Sequence, residues 1–137
     1  AVLNVAHDLR SEVGWPNVEH AQVGIIDGPG NALIAYHAAV LAIASLRERH
    51  DRVLVYCHGG SRSTAVAVMY LEACASRGWI GWFDLMNEKA GIDLPIPHEV
   101  HRAAFDKMNW LVLSKLYLPI LSTSIIYLCL YKHYFLS

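Results

Sequence analysis

The chain has 137 residues and a formal net charge of −1. This length suits a single domain that can bury a hydrophobic core, and the near-neutral charge excludes the broad basic face that binding of nucleic acid requires. The three cysteines are widely spaced, which argues against a disulfide framework or a zinc site and favours a reducing, cytoplasmic setting. No secretory signal is recognised at the start.

The first half of the chain alternates between predicted strands and helices. Residues 1–6 are apolar and partly β-branched, as in a buried strand, and residues 7–19 form a polar connection with one proline. Residues 20–26 predict a second strand, which ends in the turn-forming sequence Asp-Gly-Pro-Gly-Asn at residues 27–31. Apolar residues then recur at spacings of three and four over residues 35–50, which predicts a helix.

The second half continues the alternation. Residues 52–56 are a compact apolar stretch that predicts a strand, and residues 57–61 form a loop with two glycines. A helix is predicted from residue 62 or 63 to a C-terminal Gly78, and two more helices over residues 82–90 and 97–113. Strands and helices in alternation predict an α/β domain with a mostly parallel central sheet flanked by helices.

The composition changes near the end of the chain. Residues 1–113 read as one domain, and residues 114–137 form an apolar tail in which residues 116–131 carry no charge. A membrane-spanning helix needs about twenty apolar residues, but Pro119 interrupts this one. The tail can therefore be a C-terminal membrane anchor, or a packed or unstructured extension. If it is an anchor, the protein can be a membrane-tethered interaction module.

The loop after the strand at residues 52–56 carries the clearest chemistry. Cys57 ends the strand, Gly59 and Gly60 follow, and Arg62 stands at the start of the next helix. Glycines allow backbone N–H groups to point inward, and a helix N-terminus adds a partial positive charge, so such a loop suits a phosphate dianion. The same field favours the thiolate form of Cys57. Arg62 can hold two phosphoryl oxygens at once, and together these groups suit attack on phosphorus through a phosphocysteine intermediate.

The segment 53–64, VLVYCHGGSRST, is similar to the active-site motif of the cysteine-dependent protein tyrosine and dual-specificity phosphatases. Residues 65–71 resemble the helix that follows the motif in dual-specificity members, and the likeness extends over about residues 1–110. This resemblance implies a protein tyrosine phosphatase-like α/β fold. It also implies that the family's first strand would precede Ala1, so that residues 1–113 would be an N-terminally truncated catalytic domain.

The resemblance implies roles for individual residues. Cys57 would be the nucleophile, Arg62 would bind phosphate, and Ser63 would help the thiolate to leave. Asp27, thirty residues before Cys57, would be the general acid and then the base that activates water. The substrate-binding loop would consist of His58, Gly59, Gly60, Ser61 and Arg62. A phosphorylated protein would be the partner, and no metal or organic cofactor is implied.

The chain departs from the family motif in two places. Four residues separate Cys57 from Arg62, where the family has five, so the loop has one N–H donor fewer and forms a tighter ring. Tyr56 stands where most members carry a His that tunes the thiolate. Two functions follow: a phosphatase acting on phosphotyrosine, phosphoserine and phosphothreonine, or a catalytically impaired relative that binds phosphorylated partners.

Simpler roles stay open for several of these residues. Asp27 can serve only as a turn former, and Ser63 can cap the helix in addition to any catalytic role. His58 can be an ordinary exposed loop residue. His98 and His101 are three residues apart on a predicted helix, but no third metal ligand accompanies them, which favours solvent-facing or core histidines over a metal site.

Overall fold

The computed structural model of the protein describes residues 1–10, 16–117 and 127–130. Its elements, in chain order, are β1 (Val2–Ala6), β2 (His20–Ile25), α1 (Leu33–Arg47), β3 (Arg52–Tyr56), α2 (Ser61–Cys74), α3 (Gly78–Ala90), α4 (Glu99–Lys107), α5 (Trp110–Tyr117) and β4 (Tyr127–Leu130). The predicted α/β class is confirmed. The connection predicted at residues 7–19 contains no helix or strand where it is described, and its residues 11–15 lie outside the described part.

The strands form one sheet in the order β2-β1-β3-β4, and every neighbouring pair is parallel. In the register of β1, Leu3 lies opposite Ala21 of β2 on one side and Val55 of β3 on the other. Parallel strands end at the same edge of a sheet, which is where α/β proteins place their binding residues. Asp8, Asp27 and Cys57 follow β1, β2 and β3 and therefore share this edge.

The hydrophobic core surrounds β1 and α2. Every residue of β1 is buried, and residues 62–73 of α2 form an unbroken buried run. Such continuous burial is expected of a central parallel strand and of a helix covered on all sides. Around α2 pack α1, α3 and α5. The loop at the start of α2 is consequently attached to a helix that is buried along residues 62–73.

A buried polar residue shapes the end of β1. The Asn4 side chain is fully buried, and its Oδ1 accepts the N–H of Ala6 at 2.9 Å while its Nδ2 donates to the carbonyl of Leu9 at 2.7 Å. The pairing of β1 with β2 shifts register between Asn4 and Ala6. Both halves of the amide are satisfied by backbone groups, as a buried amide requires. Asn4 thereby fixes the turn that carries Asp8.

The predicted helix end at Gly78 is wrong. The helix α2 ends at Cys74, and Gly78 begins α3. The cause is the buried Glu72 carboxylate, whose Oε2 accepts the N–H groups of Arg77 and Gly78 at 3.0 and 2.9 Å and the indole N–H of Trp82 at 2.9 Å. A carboxylate in this position satisfies the free N–H groups at the start of α3 and complements its dipole.

The single helix predicted over residues 97–113 is also wrong, because the structure divides it into α4 and α5. The break lies at Met108 and Asn109. The Oδ1 of Asn109 accepts the N–H of Val112 at 3.2 Å, which caps the start of α5. The indole of Trp110 donates to the carbonyl of Phe105 at 3.0 Å and so holds the two helices together at the break.

Part of the apolar tail belongs to the sheet. The strand β4 pairs with β3 in parallel, with Arg52 opposite Tyr127. The rest of the tail, residues 118–126 and 131–137, lies outside the described residues. Most of the segment 116–131, a candidate membrane anchor by its sequence, therefore lies outside them as well. In the part of the chain that the structure describes, no helix is long and apolar enough to cross a membrane.

Candidate active site

Cys57 lies between the end of β3 and the start of α2, and its side chain is buried. Its Sγ accepts the backbone N–H of Ser63 at 3.3 Å and lies 3.4 Å from the Ser63 hydroxyl. The same hydroxyl donates to the carbonyl of Gly60 at 3.3 Å. The sulfur therefore faces the N-terminus of α2, where the helix dipole and a free N–H stabilise an anion.

The loop between Cys57 and α2 turns on two glycines in the left-handed region. Gly59 has a φ of +88° and Gly60 a φ of +90°, conformations that other residues rarely adopt. Gly60 also lies against Pro95, whose Cγ would be 2.8 Å from a Cβ at this position. The segment after α3 thus covers one side of the loop.

The backbone N–H groups of residues 59–62 have no acceptor within the described chain. No residue of ranges 1–10, 16–117 or 127–130 accepts a hydrogen bond from the N–H of Gly59, Gly60, Ser61 or Arg62. The first N–H groups of a helix lack an intrahelical acceptor and are satisfied by side chains, water or a ligand. Four consecutive donors beside a sulfur are suited to bind a phosphoryl group.

Arg62 is the most buried charge of the site, with 3% of its side chain exposed. Its Nη1 donates to the Asp8 carboxylate at 2.6 Å and to the carbonyl of Ile25 at 3.0 Å. Its Nε is buried and has no hydrogen-bond partner among the described residues. A buried guanidinium needs such partners. Arg62 therefore does not extend into bulk water, and part of its donor set is already used by the chain.

Sequence reasoning missed Asp8. Its hydrogen bond from Arg62 lowers the pKa of the Asp8 carboxyl, and the charges of Arg62 and His58 act in the same direction. His58 itself is an exposed residue of the loop. Asp8 lies two residues after the end of the predicted first strand, and this position was the signal that could have found it, since the carboxyl ends of parallel strands converge.

Asp27 is linked to the Cys57 loop through a hydroxyl. Its Oδ1 accepts hydrogen bonds from the Ser61 hydroxyl at 2.8 Å and from Nε2 of His101 at 2.9 Å. Burial opposes the charge on Asp27 and is the largest single influence, but the hydrogen bonds from His101 and Ser61 outweigh it. The pKa of Asp27 consequently lies below its ordinary value.

The turn after Asp27 is closed by Asn31. Its Oδ1 accepts the N–H of Ile26 at 2.8 Å, and its Nδ2 donates to the carbonyls of Ile26 and Gly28 at 2.7 and 3.2 Å. Asn side chains commonly close turns in this way. The turn is thereby held at both of its ends, which fixes the backbone from which the Asp27 side chain extends.

His101 is fully buried and is the second residue that sequence reasoning missed. Its Nδ1 lies 2.8 Å from the Tyr36 hydroxyl, which in turn accepts from Nδ2 of Asn31 at 3.2 Å. Burial lowers the pKa of His101, against the opposing influence of Asp27. The sequence placed His101 on a helix as a solvent-facing or core residue, and the structure shows it as a core residue with two polar partners.

Ser61 also connects the loop to the start of α4. Its Oγ accepts the backbone N–H of His98 at 2.9 Å, while the His98 ring caps α4 by accepting the N–H of Val100 at 3.1 Å. Ser61 thus joins the Cys57 loop, Asp27 and the segment before α4. Within the described ranges, no three His, Cys, Asp or Glu side chains are grouped so that they could hold a metal ion.

The structure therefore brings most of the predicted site residues together at one edge of the sheet. Cys57 and Ser63 are in contact, Ser61 contacts Asp27, and Arg62 lies beneath the same edge. Comparisons with models of protein families, with curated proteins and with solved structures found no match to this chain.

Proposed function

We propose that this chain is a cysteine-dependent phosphatase of the dual-specificity type, built on a protein tyrosine phosphatase-like fold. Its substrates would be proteins phosphorylated on Tyr, Ser or Thr. The observation that carries the proposal is the 3.3 Å contact between the Ser63 N–H and the Cys57 sulfur at the start of α2. The N–H groups of residues 59–62, which have no acceptor among the residues that the structure describes, provide a place for the phosphoryl oxygens.

In the first step, the Cys57 thiolate attacks phosphorus and forms an S–P bond as the bond from phosphorus to the leaving oxygen breaks. The loop N–H groups bind the equatorial oxygens, which carry the developing charge. Asp27, hydrogen-bonded to the loop through Ser61, gives its proton to the departing alkoxide or phenoxide. The product of this step is the dephosphorylated residue together with phosphocysteine.

In the second step, water attacks the phosphorus of phosphocysteine and the S–P bond breaks. Asp27, now ionised, accepts the proton of the water. Sulfur leaves as a thiolate, which the backbone N–H of Ser63 stabilises at 3.3 Å. The Ser63 hydroxyl, 3.4 Å from the sulfur, would donate to the thiolate after turning from the carbonyl of Gly60. The enzyme is then returned to its starting state with inorganic phosphate as the second product.

The alternative is a catalytically impaired relative that binds phosphorylated partners. The observation that favours it is the pair between Arg62 and Asp8, which occupies part of the guanidinium that the family uses for phosphate. The loop is one residue shorter than the family motif, and this also favours an impaired relative, because a misplacement of a catalytic group by about 1 Å can reduce a rate on the order of a hundredfold. In this case the loop would bind the phosphoryl group of a phosphorylated partner without hydrolysing the phosphate ester.

Turnover of para-nitrophenyl phosphate tests the proposal. Wild type is compared with Cys57→Ser and with Cys74→Ser, which is matched in chemistry but lies at the far end of α2. We expect Cys57→Ser to lose at least about a hundredfold in kcat, since it removes the nucleophile, and Cys74→Ser to retain activity. Equal rates for wild type and Cys57→Ser would contradict the proposal. Background turnover by wild type, with phosphopeptide binding that Arg62→Ala abolishes, would establish the alternative.

A further inference from the structure

Asp27 receives both of its hydrogen bonds on one oxygen. Oδ1 accepts from Ser61 and from His101, whereas no residue of the described chain donates to Oδ2. A carboxyl group with two donors on one oxygen places its proton, when it has one, on the other oxygen. The surroundings therefore distinguish the two oxygens of Asp27 before any substrate binds.

The direction of these hydrogen bonds follows from the outermost partner. The amide Nδ2 of Asn31 cannot accept a hydrogen bond, so the Tyr36 hydroxyl does not donate to it and is free to donate its proton to Nδ1 of His101. With Nδ1 as an acceptor, a neutral His101 carries its proton on Nε2 and donates it to Asp27. The full burial of His101 favours this neutral form.

We propose that His101, supported by Tyr36, is a positioning residue that keeps Oδ1 of Asp27 as an acceptor and so directs the transferred proton to Oδ2. This inference rests on the proposed phosphatase function. His101 would contact neither the substrate nor phosphorus, and would act through the geometry and charge of Asp27. Second partners of this kind fix the orientation of a catalytic group, which is the requirement for efficient proton transfer.

The charged and titratable groups around this pair come from three elements. On α2, Arg62 favours the ionised form of Asp27. At the N-cap of α4, the His98 ring lies with its centroid 6.1 Å from that of His101 and opposes the protonation of His101. On α1, burial raises the pKa of Tyr36, which keeps the hydroxyl neutral. Loss of the His101 donor removes one of the groups that favour the carboxylate of Asp27.

The test compares two substrates that differ in leaving group. Phenyl phosphate has a poor leaving group and needs the proton from Asp27, whereas para-nitrophenyl phosphate has a good one and needs it much less. We expect His101→Leu and Tyr36→Phe, each at its own pH optimum, to lower kcat/KM on phenyl phosphate by about tenfold to a hundredfold, with little change in kcat/KM on para-nitrophenyl phosphate. The ratio kcat/KM is used because it reports formation of phosphocysteine and not its hydrolysis, which is common to both substrates. His101→Gln, which retains an N–H donor, should recover most of the loss.

The pH profile provides a second measurement. The high-pH limb of kcat/KM on phenyl phosphate reports loss of the proton from Asp27, and it should move to higher pH in His101→Leu because the carboxylate has lost a donor. The double variant Asp27→Asn with His101→Leu should be no slower than Asp27→Asn alone, because both act on one step.

Several outcomes would overturn the inference. Equal losses of kcat/KM on the two substrates, or a His101→Gln variant as slow as His101→Leu, would show a structural role only. Nitrogen NMR of the folded chain, which needs no turnover, would overturn it by showing the proton of His101 on Nδ1. A wild type without activity on either substrate would refute the proposed function and this inference together, whereas an active wild type without the substrate difference would refute this inference alone.

Discussion

The Nη1 of Arg62 lies 2.6 Å from Oδ1 of Asp8, so the guanidinium expected to bind phosphate already holds an anion supplied by the chain. Arg62 is almost fully buried, whereas 62% of the Asp8 side chain is exposed. The Asp8 carboxylate is solvated and can therefore leave Arg62 at a lower cost than a buried carboxylate could, provided that another anion takes its place beside the buried guanidinium. Asp8 is therefore placed to compete with a phosphoryl group for Arg62.

Asp8→Asn should strengthen the binding of inorganic phosphate. The substitution retains the shape of the side chain but removes the competing charge, and a partly solvated pair contributes up to about 1 kcal/mol, or about fivefold in affinity. Inhibition of para-nitrophenyl phosphate turnover by phosphate measures the change, with the exposed Asp84→Asn on α3 as the control. Weaker inhibition in Asp8→Asn would instead mean that Asp8 holds Arg62 in its binding position.

The two loop glycines should respond differently to the same substitution. In Gly60→Ala the new Cβ would lie 2.8 Å from Cγ of Pro95, and the backbone would have a left-handed φ of +90°. In Gly59→Ala the backbone would have a φ of +88°, but no atom of a described residue beyond its chain neighbours would lie within 4 Å of the new Cβ. We expect Gly59→Ala to cost about 1 kcal/mol in the free energy of unfolding, and Gly60→Ala about 1–3 kcal/mol more. Chemical denaturation gives both values.

The added variant Pro95→Ala identifies the source of the difference. In the Gly60→Ala background it removes the ring that the new methyl group would meet, and it should recover most of the extra loss. If Gly59→Ala and Gly60→Ala were equally destabilised, the packing of Pro95 on the loop would have no energetic importance.

The local parts of this fold were predictable from the sequence. The strand at residues 52–56 has the bounds that its apolar run predicts, and the loop after it follows directly from Gly59 and Gly60. Such features depend on residues that are adjacent in the chain, so propensity and spacing are sufficient to locate them. The break between α4 and α5 was missed because both segments have helical periodicity and a single Asn109 side chain separates them.

The partners of the buried polar groups were not predictable in the same way. Asp8 and Arg62 are separated by 54 residues, and Asp27 and His101 by 74. Periodicity indicates that a residue such as His101 is buried, but it does not indicate which distant group satisfies its ring nitrogens. That choice depends on how the helices pack onto the sheet, which is a property of the whole fold.

A surface cluster should give the stability of the fold a pH dependence. Glu19 accepts hydrogen bonds from Arg49 at 2.6 Å and from His50 at 2.5 Å. The two hydrogen bonds lower the pKa of Glu19 from 4.5 to about 2, and the bond from Arg49 has the larger effect. A carboxylate with a lowered folded-state pKa stabilises the fold above the unfolded value of 4.5, and this stabilisation is lost as the pH falls through about 2.

Glu19→Gln measures this contribution. Near neutral pH the variant should unfold more easily than wild type, and the difference should shrink as the pH falls from 4.5 towards 2. Added salt should shrink it as well, because the cluster is exposed. A difference that is the same at every pH would show that the charge of Glu19 is not its source.

We expect Cys57 to carry the phosphoryl group during turnover. Wild type and Asp27→Asn are mixed rapidly with para-nitrophenyl phosphate, quenched in acid and analysed by peptide mass spectrometry. Removal of the residue that activates water should slow hydrolysis of the intermediate. We predict one added phosphoryl group on the peptide that contains Cys57, in greater amount in Asp27→Asn and absent in Cys57→Ser. Turnover with the phosphoryl group on any other side chain, or with none on the protein in either variant, would contradict the account.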